Sequence, residues 1–165
     1  MNRLILLRHG DAERDSATGG DFDRALSAVG HAEVSAMGLT LVGLGLVPDL
    51  ALVSSAARTR QTWAELATVF PGTRVEFDNG LYLAEAESIT QVLNGDPGDC
   101  DTLMVIGHNP GLQELALSLL LTANAPASAI SRAQTGFPTG AVAVFLFDVE
   151  GRPTYDGLFY PRDER

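Results

Sequence analysis

The sequence predicts an α/β fold, with one domain over residues 1–165 arranged as a three-layer α/β/α sandwich around a mostly parallel sheet. Three observations predict it. Short, continuous apolar runs, typical of strands buried on both faces, recur along the chain. Segments with helical periodicity alternate with these runs, which favours parallel pairing through helical crossovers. A length of 165 residues suits one domain with a sizeable core.

The first third of the chain predicts a strand, a loop, a helix and a second strand. Residues 3–7 form an apolar run, whereas residues 10–26 are rich in Gly, Asp and Ser and lack periodicity. Ser27 is placed to cap a helix that runs to about Leu44, with an inward stripe formed by Val34, Met37, Gly38 and Leu41. Pro48-Asp49 then turns the chain into a buried strand at residues 50–53.

The middle of the chain predicts two more helices and two more strands. A helix is expected from about residue 56 to residue 69, ended by Pro71-Gly72, and a strand follows at residues 74–77. Residues 85–94 predict a short helix, and Asn-Gly-Asp-Pro-Gly at residues 94–98 predicts a turn. Residues 102–106 are strongly apolar and predict a buried strand.

The last third predicts a helix followed by a hairpin. The helix carries Leu112, Leu115, Ala116 and Leu119 on one face. Residues 123–139 are expected to form a loop or a short helix. Residues 141–147 predict a strand, and residues 152–160 are expected to pair with it across the turn at 149–152.

Composition and charge restrict the class of protein. Hydrophobic residues make up 45% and charged residues 19%, as in ordinary globular proteins. No apolar run reaches the ~18 residues that cross a bilayer, and the N-terminus is not typical of a signal peptide. The single cysteine, Cys100, excludes an internal disulfide, suits a cytoplasmic location and predicts no metal site. A net charge of −10 repels nucleic acid and anionic membranes, so neither is expected as a partner.

Polar residues follow three of the predicted strands. They are Arg8-His9-Gly10, Ser54-Ser55 with Arg58 one helical turn later, and Gly107-His108-Asn109. The carboxyl ends of parallel strands meet at one edge of a sheet, so Arg8, His9, Arg58 and His108 are expected to converge there. Two guanidiniums and two imidazoles suit a tetrahedral dianion, because arginine donates in a fixed fork and imidazole can donate or attack.

Arg8-His9-Gly10 after an apolar strand resembles the signature of the histidine phosphatase superfamily, which includes the phosphoglycerate mutases. Residues 54–62 resemble that family's second motif, whose arginine falls on Arg58, and residues 107–112 resemble its third, whose histidine falls on His108. Residues 23–30 are similar to the segment that begins the family's first helix. The resemblance runs in order from about residue 3 to residue 147 and implies a phosphoglycerate mutase-like fold.

The short chain and the Asn-Pro-Gly continuation of the third motif are similar to SixA-type phosphohistidine phosphatases, whereas the mutases are longer. The resemblance implies that His9 is the nucleophile and that Arg8, Arg58 and His108 are its catalytic companions and bind the phosphoryl group. Arg24 and Asn109 are further candidates for contact with the substrate. No metal and no other cofactor is implied.

Two positions depart from the family's pattern. Ser55 stands where the second motif usually has proline, and Leu83 stands where many members place a glutamate or aspartate general acid. Asp11 and Glu85 are the remaining candidates for a proton donor. An alkoxide leaving group needs such a donor. Phosphohistidine expels an imidazole instead, whose pKa of about 6.5 lets the ring itself carry the proton.

The predicted function is therefore that of a metal-independent phosphatase that hydrolyses phosphohistidine on a phosphoprotein through a covalent phosphohistidine intermediate at His9. Two alternatives stay open: a phosphomonoesterase of the same superfamily that acts on a small metabolite ester, and a module that binds phosphate without turnover.

Overall fold

The computed structural model describes residues 1–95 and 98–162 and contains a six-stranded sheet. Its strands are β1 (Arg3–Arg8), β2 (Leu50–Ser54), β3 (Arg74–Asp78), β4 (Thr102–Gly107), β5 (Val142–Phe147) and β6 (Pro153–Phe159). Their order across the sheet is β3-β2-β4-β1-β5-β6. The predicted hairpin at the end of the chain is the antiparallel pair β5–β6.

The sheet is mostly parallel, as predicted. The pairs β1–β4, β2–β4 and β2–β3 are all parallel. Only β5 runs against the others, because it pairs antiparallel with both β1 and β6. The central strands β2 and β4 are buried along their whole length, which explains their continuous apolar sequences.

Within the described part of the chain, five α-helices cover the two faces of the sheet. They are α1 (Ala28–Gly43), α2 (Ala57–Ala67), α3 (Ala86–Asn94), α4 (Gly111–Thr122) and α5 (Ala127–Thr135). Helices α1 and α2 pack together over one apolar cluster, and α3, α4 and α5 pack together over a second. The predicted three-layer α/β/α sandwich is therefore confirmed. No helix within the described ranges, 1–95 and 98–162, is long and apolar enough to cross a bilayer.

The local predictions hold with small corrections. Ser27 caps α1 by accepting a hydrogen bond from Gly30 N at 3.0 Å, and the predicted inward stripe of that helix is buried. Residues 123–139, predicted as a loop or a short helix, contain α5. On α4 the predicted Leu112, Leu115 and Ala116 are buried, but the predicted Leu119 is only half-buried. Leu120 is buried in its place, because the face of the helix that carries Leu120 is the one packed on the sheet. Positions 96 and 97 of the predicted turn lie outside the described residues.

Strand register brings the predicted functional segments to one edge of the sheet. Arg8 at the end of β1 pairs with Gly107 at the end of β4, and Val53 of β2 pairs with Ile106. The residues that follow these three strands therefore emerge side by side, as expected at the carboxyl edge of a parallel sheet.

Candidate active site

A cavity of about 320 Å³ opens at the carboxyl edge of the sheet. It is lined by Arg8, His9, Asp11, Ala12, Asp21, Arg24, Arg58, Leu83, His108, Asn109 and Thr139. Three guanidiniums against two carboxylates give this wall a net positive charge when the imidazoles are neutral, in a chain whose net charge is −10. Such a concentration of positive charge in an acidic protein favours an anionic ligand.

A larger depression of about 660 Å³ lies at the opposite, amino edge of the sheet, around Asp49, Arg74 and Cys100. Among the described residues, its lining has no imidazole and a single guanidinium, Arg74, against three carboxylates. The smaller cavity is therefore the one whose chemistry suits a phosphoryl group.

His9 is buried in this cavity with its proton placed on Nδ1. Nδ1 lies 2.7 Å from the carbonyl oxygen of Gly10, and Nε2 lies 3.3 Å from Arg58 Nε. A guanidinium can only donate, so Nε2 must accept and the Nδ1–H is donated to the carbonyl. Burial, together with the positive charges of the neighbouring arginines, lowers the pKa of His9 to about 4, although its hydrogen bond to Gly10 opposes this shift. The ring is thus neutral near pH 7, and its Nε2 carries the electron pair that accepts the hydrogen bond from Arg58.

His108 has the opposite arrangement. Its Nδ1 lies 3.2 Å from Arg58 Nη2 and its Nε2 lies 2.8 Å from Ser54 Oγ, so the proton sits on Nε2 and is donated to the serine. Burial is the main cause that lowers the pKa of His108 to about 3, followed by the charges of His9 and Arg58. The rings of the two cavity histidines, His9 and His108, have centroids 5.2 Å apart.

Arg58 is the hub of the site. It lies in the first turn of α2, directly after β2, and its side chain is only 2% exposed. Besides the two histidines, it donates from Nη1 to the backbone oxygen of Asp21 at 2.9 Å and from Nη2 to Asp21 Oδ2 at 3.1 Å. A buried guanidinium with this many charge-assisted contacts is held in one orientation.

Arg8 and Asn109 are tied to the same carbonyl group. Arg8 Nη1 and Asn109 Nδ2 both donate to Phe137 O, at 2.9 and 2.8 Å. Burial, with help from Arg58, lowers the pKa of the Arg8 guanidinium. Arg8 Nε and Asn109 Oδ1 are buried and find no partner among the described residues. Buried polar atoms are normally paired, so Arg8 keeps a donor that suits a ligand oxygen.

Of the other predicted site residues, two line the cavity and one does not. Arg24 lines the cavity, and Asp11 also lines it while its Oδ2 accepts a hydrogen bond from Ser27 Oγ at 2.6 Å. Glu85, a candidate proton donor in the sequence, is exposed at the residue before α3 and is not part of the cavity wall. The chain leaves the cavity before it reaches Glu85, so this residue is not placed to protonate a leaving group there.

Two residues of the site were not predicted from the sequence. Asp21 follows Gly20 in the aperiodic loop, and its carboxylate joins Arg58 to Arg24, whose Nε lies 2.9 Å from Asp21 Oδ1. Tyr82 donates its hydroxyl to Asp21 Oδ2 at 2.5 Å and sets its ring against that of His108. The hydrogen bond from Tyr82 is the main cause that lowers the pKa of Asp21 to about 2, so this carboxyl is ionised near pH 7. No sequence signal marks these contacts.

Leu83 forms part of the cavity wall, and it stands at the position where many members of the family have a glutamate or aspartate general acid. It is 51% exposed and has a backbone φ of 50°, in the left-handed region that a leucine rarely adopts. The cavity therefore has an apolar side chain at the position where the family's pattern has a proton donor. Among residues 1–95 and 98–162, no group of three or more His, Cys, Asp or Glu side chains could hold a metal ion.

Solved structures with the same architecture include proteins named SixA. The candidate phosphohistidine phosphatase SixA of Agrobacterium tumefaciens is 27% identical, has a TM-score of 0.83, and the match covers 97% of this chain and 98% of that one. The protein histidine phosphatase SixA complexed with tungstate is 25% identical, has a TM-score of 0.75, and the match covers 96% and 97% of the two chains. A phosphoglycerate mutase of Plasmodium falciparum, 18% identical with a TM-score of 0.64 over 96% and 90%, shows the same fold. The expected phosphoglycerate mutase-like fold is thus confirmed.

The sequence also matches proteins without an assigned activity. An uncharacterised chloroplastic protein of Arabidopsis thaliana is 34% identical over 71% of this chain, and the match spans 58% of that protein's length. An uncharacterised protein of Mycobacterium tuberculosis is 32% identical over 75% of this chain and 77% of its own length. The sequence model of the histidine phosphatase superfamily, branch 1, matches residues 4–85, which contain Arg8, His9 and Arg58. Strand β4 brings His108 beside these three residues. The chain therefore belongs to the histidine phosphatase superfamily.

Proposed function

We propose that this phosphatase hydrolyses phosphohistidine on a phosphoprotein through a covalent intermediate on His9 Nε2, without a metal ion. One observation supports this choice above others: the cavity holds a neutral imidazole among three guanidiniums but no carboxyl placed to act as a general acid. Leu83 lies where such an acid was sought, Glu85 lies outside, and Asp21 is ionised. Asp11 lines the cavity, but its Oδ2 accepts a hydrogen bond from Ser27 Oγ at 2.6 Å, which ties this carboxyl to the start of α1.

The first step transfers the phosphoryl group to the enzyme. His9 Nε2 gives up its hydrogen bond from Arg58 Nε, and its electron pair forms a bond to phosphorus while the bond from phosphorus to the substrate imidazole breaks. The substrate ring, protonated on its other nitrogen, leaves as a neutral imidazole and therefore needs no donor from the enzyme. The Nδ1–H of His9 stays on the carbonyl of Gly10, which stabilises the positive charge that the phosphorylated ring acquires.

The second step releases phosphate. Water attacks phosphorus, the bond to Nε2 breaks, and its electron pair returns to His9, while both water protons stay on the phosphate, which leaves as the monoanion. In both steps the guanidiniums of Arg8 and Arg58 offset the charge on the equatorial oxygens, with Arg24 at the rim. A bound dianion also favours a proton on His108 Nδ1, which turns this atom into a further donor to the phosphoryl group.

The leaving group separates this proposal from ester hydrolysis. An alkoxide expelled near neutral pH needs a proton in the transition state, and general acid catalysis typically contributes about 10²- to 10⁴-fold in rate. A cavity without that acid loses this factor on esters and keeps its rate on phosphohistidine. We therefore expect a strong preference for the phosphorus–nitrogen bond.

The test compares kcat/KM for a phosphohistidine peptide with the values for sugar phosphates and an aryl phosphate. His9→Ala should abolish turnover, whereas His31→Ala should turn over as the wild type does, because His31 of α1 is paired with Glu65 of α2 and is not part of the cavity wall. Protein quenched with alkali in the first seconds of turnover should carry phosphate on His9, as seen by mass spectrometry; alkali is used because the phosphorus–nitrogen bond breaks in acid.

Each alternative gives a different result in this test. Faster hydrolysis of a sugar phosphate than of phosphohistidine would identify a metabolite phosphomonoesterase. Phosphate binding without turnover of any of these substrates would identify a binding module. Normal turnover by the His9→Ala variant would refute the covalent mechanism.

A further inference from the structure

The Asp21 carboxylate takes the place in the cavity that an anionic ligand would take. Oδ1 accepts from Arg24 Nε at 2.9 Å, and Oδ2 accepts from Arg58 Nη2 at 3.1 Å and from the Tyr82 hydroxyl at 2.5 Å. Two guanidiniums and a phenol around one carboxylate form the kind of donor set that binds phosphate.

Arg58 has little capacity left for a second anion while Asp21 is in place. Of its five N–H groups, one points to His9, one to His108, one to the backbone oxygen of Asp21 and one to the Asp21 carboxylate. A phosphoryl group that binds Arg58 through two parallel hydrogen bonds must therefore displace at least one of these partners. The histidines are buried and held from behind by Ser54 and by Gly10, whereas the Asp21 side chain is 46% exposed. When substrate binds, before His9 attacks, Asp21 is therefore the partner that can leave.

We propose that Asp21 is an affinity-determining residue: its carboxylate competes with the phosphoryl group for Arg58 and must swing toward solvent when substrate binds. The same competition weakens the hold on inorganic phosphate, so it favours release of the product. Departure of this carboxylate also raises the positive charge of the cavity wall by one, which matches a dianionic ligand better. The inference rests on the proposed function for the identity of the anion.

The test measures the Kd of inorganic phosphate at pH 7 by calorimetry or by ³¹P NMR, apart from any turnover. Asp21→Asn keeps the size of the side chain and removes its charge, so phosphate should bind about tenfold more tightly. Asp23→Asn is the matched control, because Asp23 lies on the same loop, is exposed, and accepts from Thr18 instead of from an arginine of the cavity. That variant should bind phosphate as the wild type does.

A second variant keeps the proposal testable if Asp21→Asn does not fold. Tyr82→Phe removes the hydroxyl that holds the carboxylate but keeps the ring against Phe22 and His108, so phosphate should again bind more tightly. In that case an unchanged Kd for Tyr82→Phe would overturn the proposal.

Three results separate this inference from the proposed function. Equal Kd values for Asp21→Asn and Asp23→Asn would mean that only the overall charge matters and would overturn the inference. Weaker binding by Asp21→Asn would overturn it as well, because Asp21 would then serve to hold Arg58 in place. A wild-type protein that neither binds phosphate nor hydrolyses any phosphorylated substrate would instead refute the proposed function.

Discussion

The hydrogen bond between His108 Nε2 and Ser54 Oγ gives a sharp prediction about both stability and rate. Both groups are buried, with Ser54 wholly inaccessible and His108 2% exposed, and the two atoms are 2.8 Å apart. Ser54→Ala removes the acceptor and leaves the Nε2–H of His108 without a partner in a dry site. A buried donor left in this way costs about 1–3 kcal/mol.

The expected loss of stability is large enough to measure but too small to unfold the variant under ordinary conditions. A domain of this size has a net stability of about 5–15 kcal/mol, so the variant should stay folded. Each kcal/mol lowers the Tm of a domain of 150–250 residues by about 2–4 °C, so Ser54→Ala should melt roughly 2–12 °C below the wild type. Activity should fall too, about tenfold for each 1.4 kcal/mol of transition-state stabilisation lost, because His108 is no longer held against Arg58.

Ser55→Ala is the matched control for this measurement. It removes the same atom from the next residue, which is also buried, but among residues 1–95 and 98–162 the hydrogen bond that Ser55 accepts, from Arg60 Nε, goes to its backbone oxygen and not to Oγ. Urea unfolding and kcat/KM on one phosphorylated substrate would be measured for both variants. A difference of less than about 0.5 kcal/mol between the free energies of unfolding of the two variants lies in the range of substitutions that remove no specific interaction. That result would show that the hydrogen bond from His108 to Ser54 contributes nothing to stability.

Three further predictions concern the pH dependence of stability, the missing acid at Leu83 and the close packing of Gly111. The pKa values of the two cavity histidines are lowered to about 4 and about 3 in the folded chain, so the unfolded chain binds more protons below about pH 6.5. The free energy of unfolding should therefore fall as the pH drops from 6.5 to 4, by at most about 1.4 kcal/mol per histidine per pH unit, and less steeply in His9→Gln, as urea titrations would show. Leu83→Glu places a carboxyl on the cavity wall and should raise kcat/KM for a sugar phosphate, which expels an alkoxide, relative to a phosphohistidine peptide, whereas Leu83→Gln should not; an unchanged ratio would contradict the account of the missing acid. Gly111→Ala would put Cβ 1.9 Å from the backbone oxygen of Ala84, so it should lower stability by about 1–3 kcal/mol, whereas Gly43→Ala, with open space around it, should not.

The fold was predictable where burial leaves a continuous mark on the sequence. Strands β2 and β4 are buried on both faces, so every position is apolar or small and the run stands out. Helix α5 was ambiguous, because its buried residues are only Ala129 and Ala133, and small side chains give a weak periodic signal. Tertiary packing against α4 fixes that helix, and such packing cannot be deduced from nine residues alone.

The site was predictable where a strand delivers the residue and unpredictable where a loop does. His9, Arg58 and His108 follow parallel strands, so their convergence follows from topology. Asp21 reaches Arg58 across 37 positions of sequence, and Tyr82 reaches Asp21 across 61. Their partners are chosen by the path of an aperiodic loop over the sheet edge, and neither composition nor spacing records that path.

The two cavity histidines have different roles because of what stands behind each ring. Both are neutral and both accept a hydrogen bond from Arg58 on the side that faces the cavity. Behind His9 is the carbonyl of Gly10, which can only accept, so the proton is fixed on Nδ1 and Nε2 keeps the electron pair that attacks. Behind His108 is the hydroxyl of Ser54, which can accept or donate. The neutral ring of His108 can therefore also carry its proton on Nδ1, with Nε2 accepting from Ser54, whereas neutral His9 cannot move its proton to Nε2 without breaking its bond to the backbone carbonyl. The assignment of nucleophile and donor thus follows from a carbonyl and a hydroxyl, and replacing Ser54 should harm the donor while leaving the nucleophile intact.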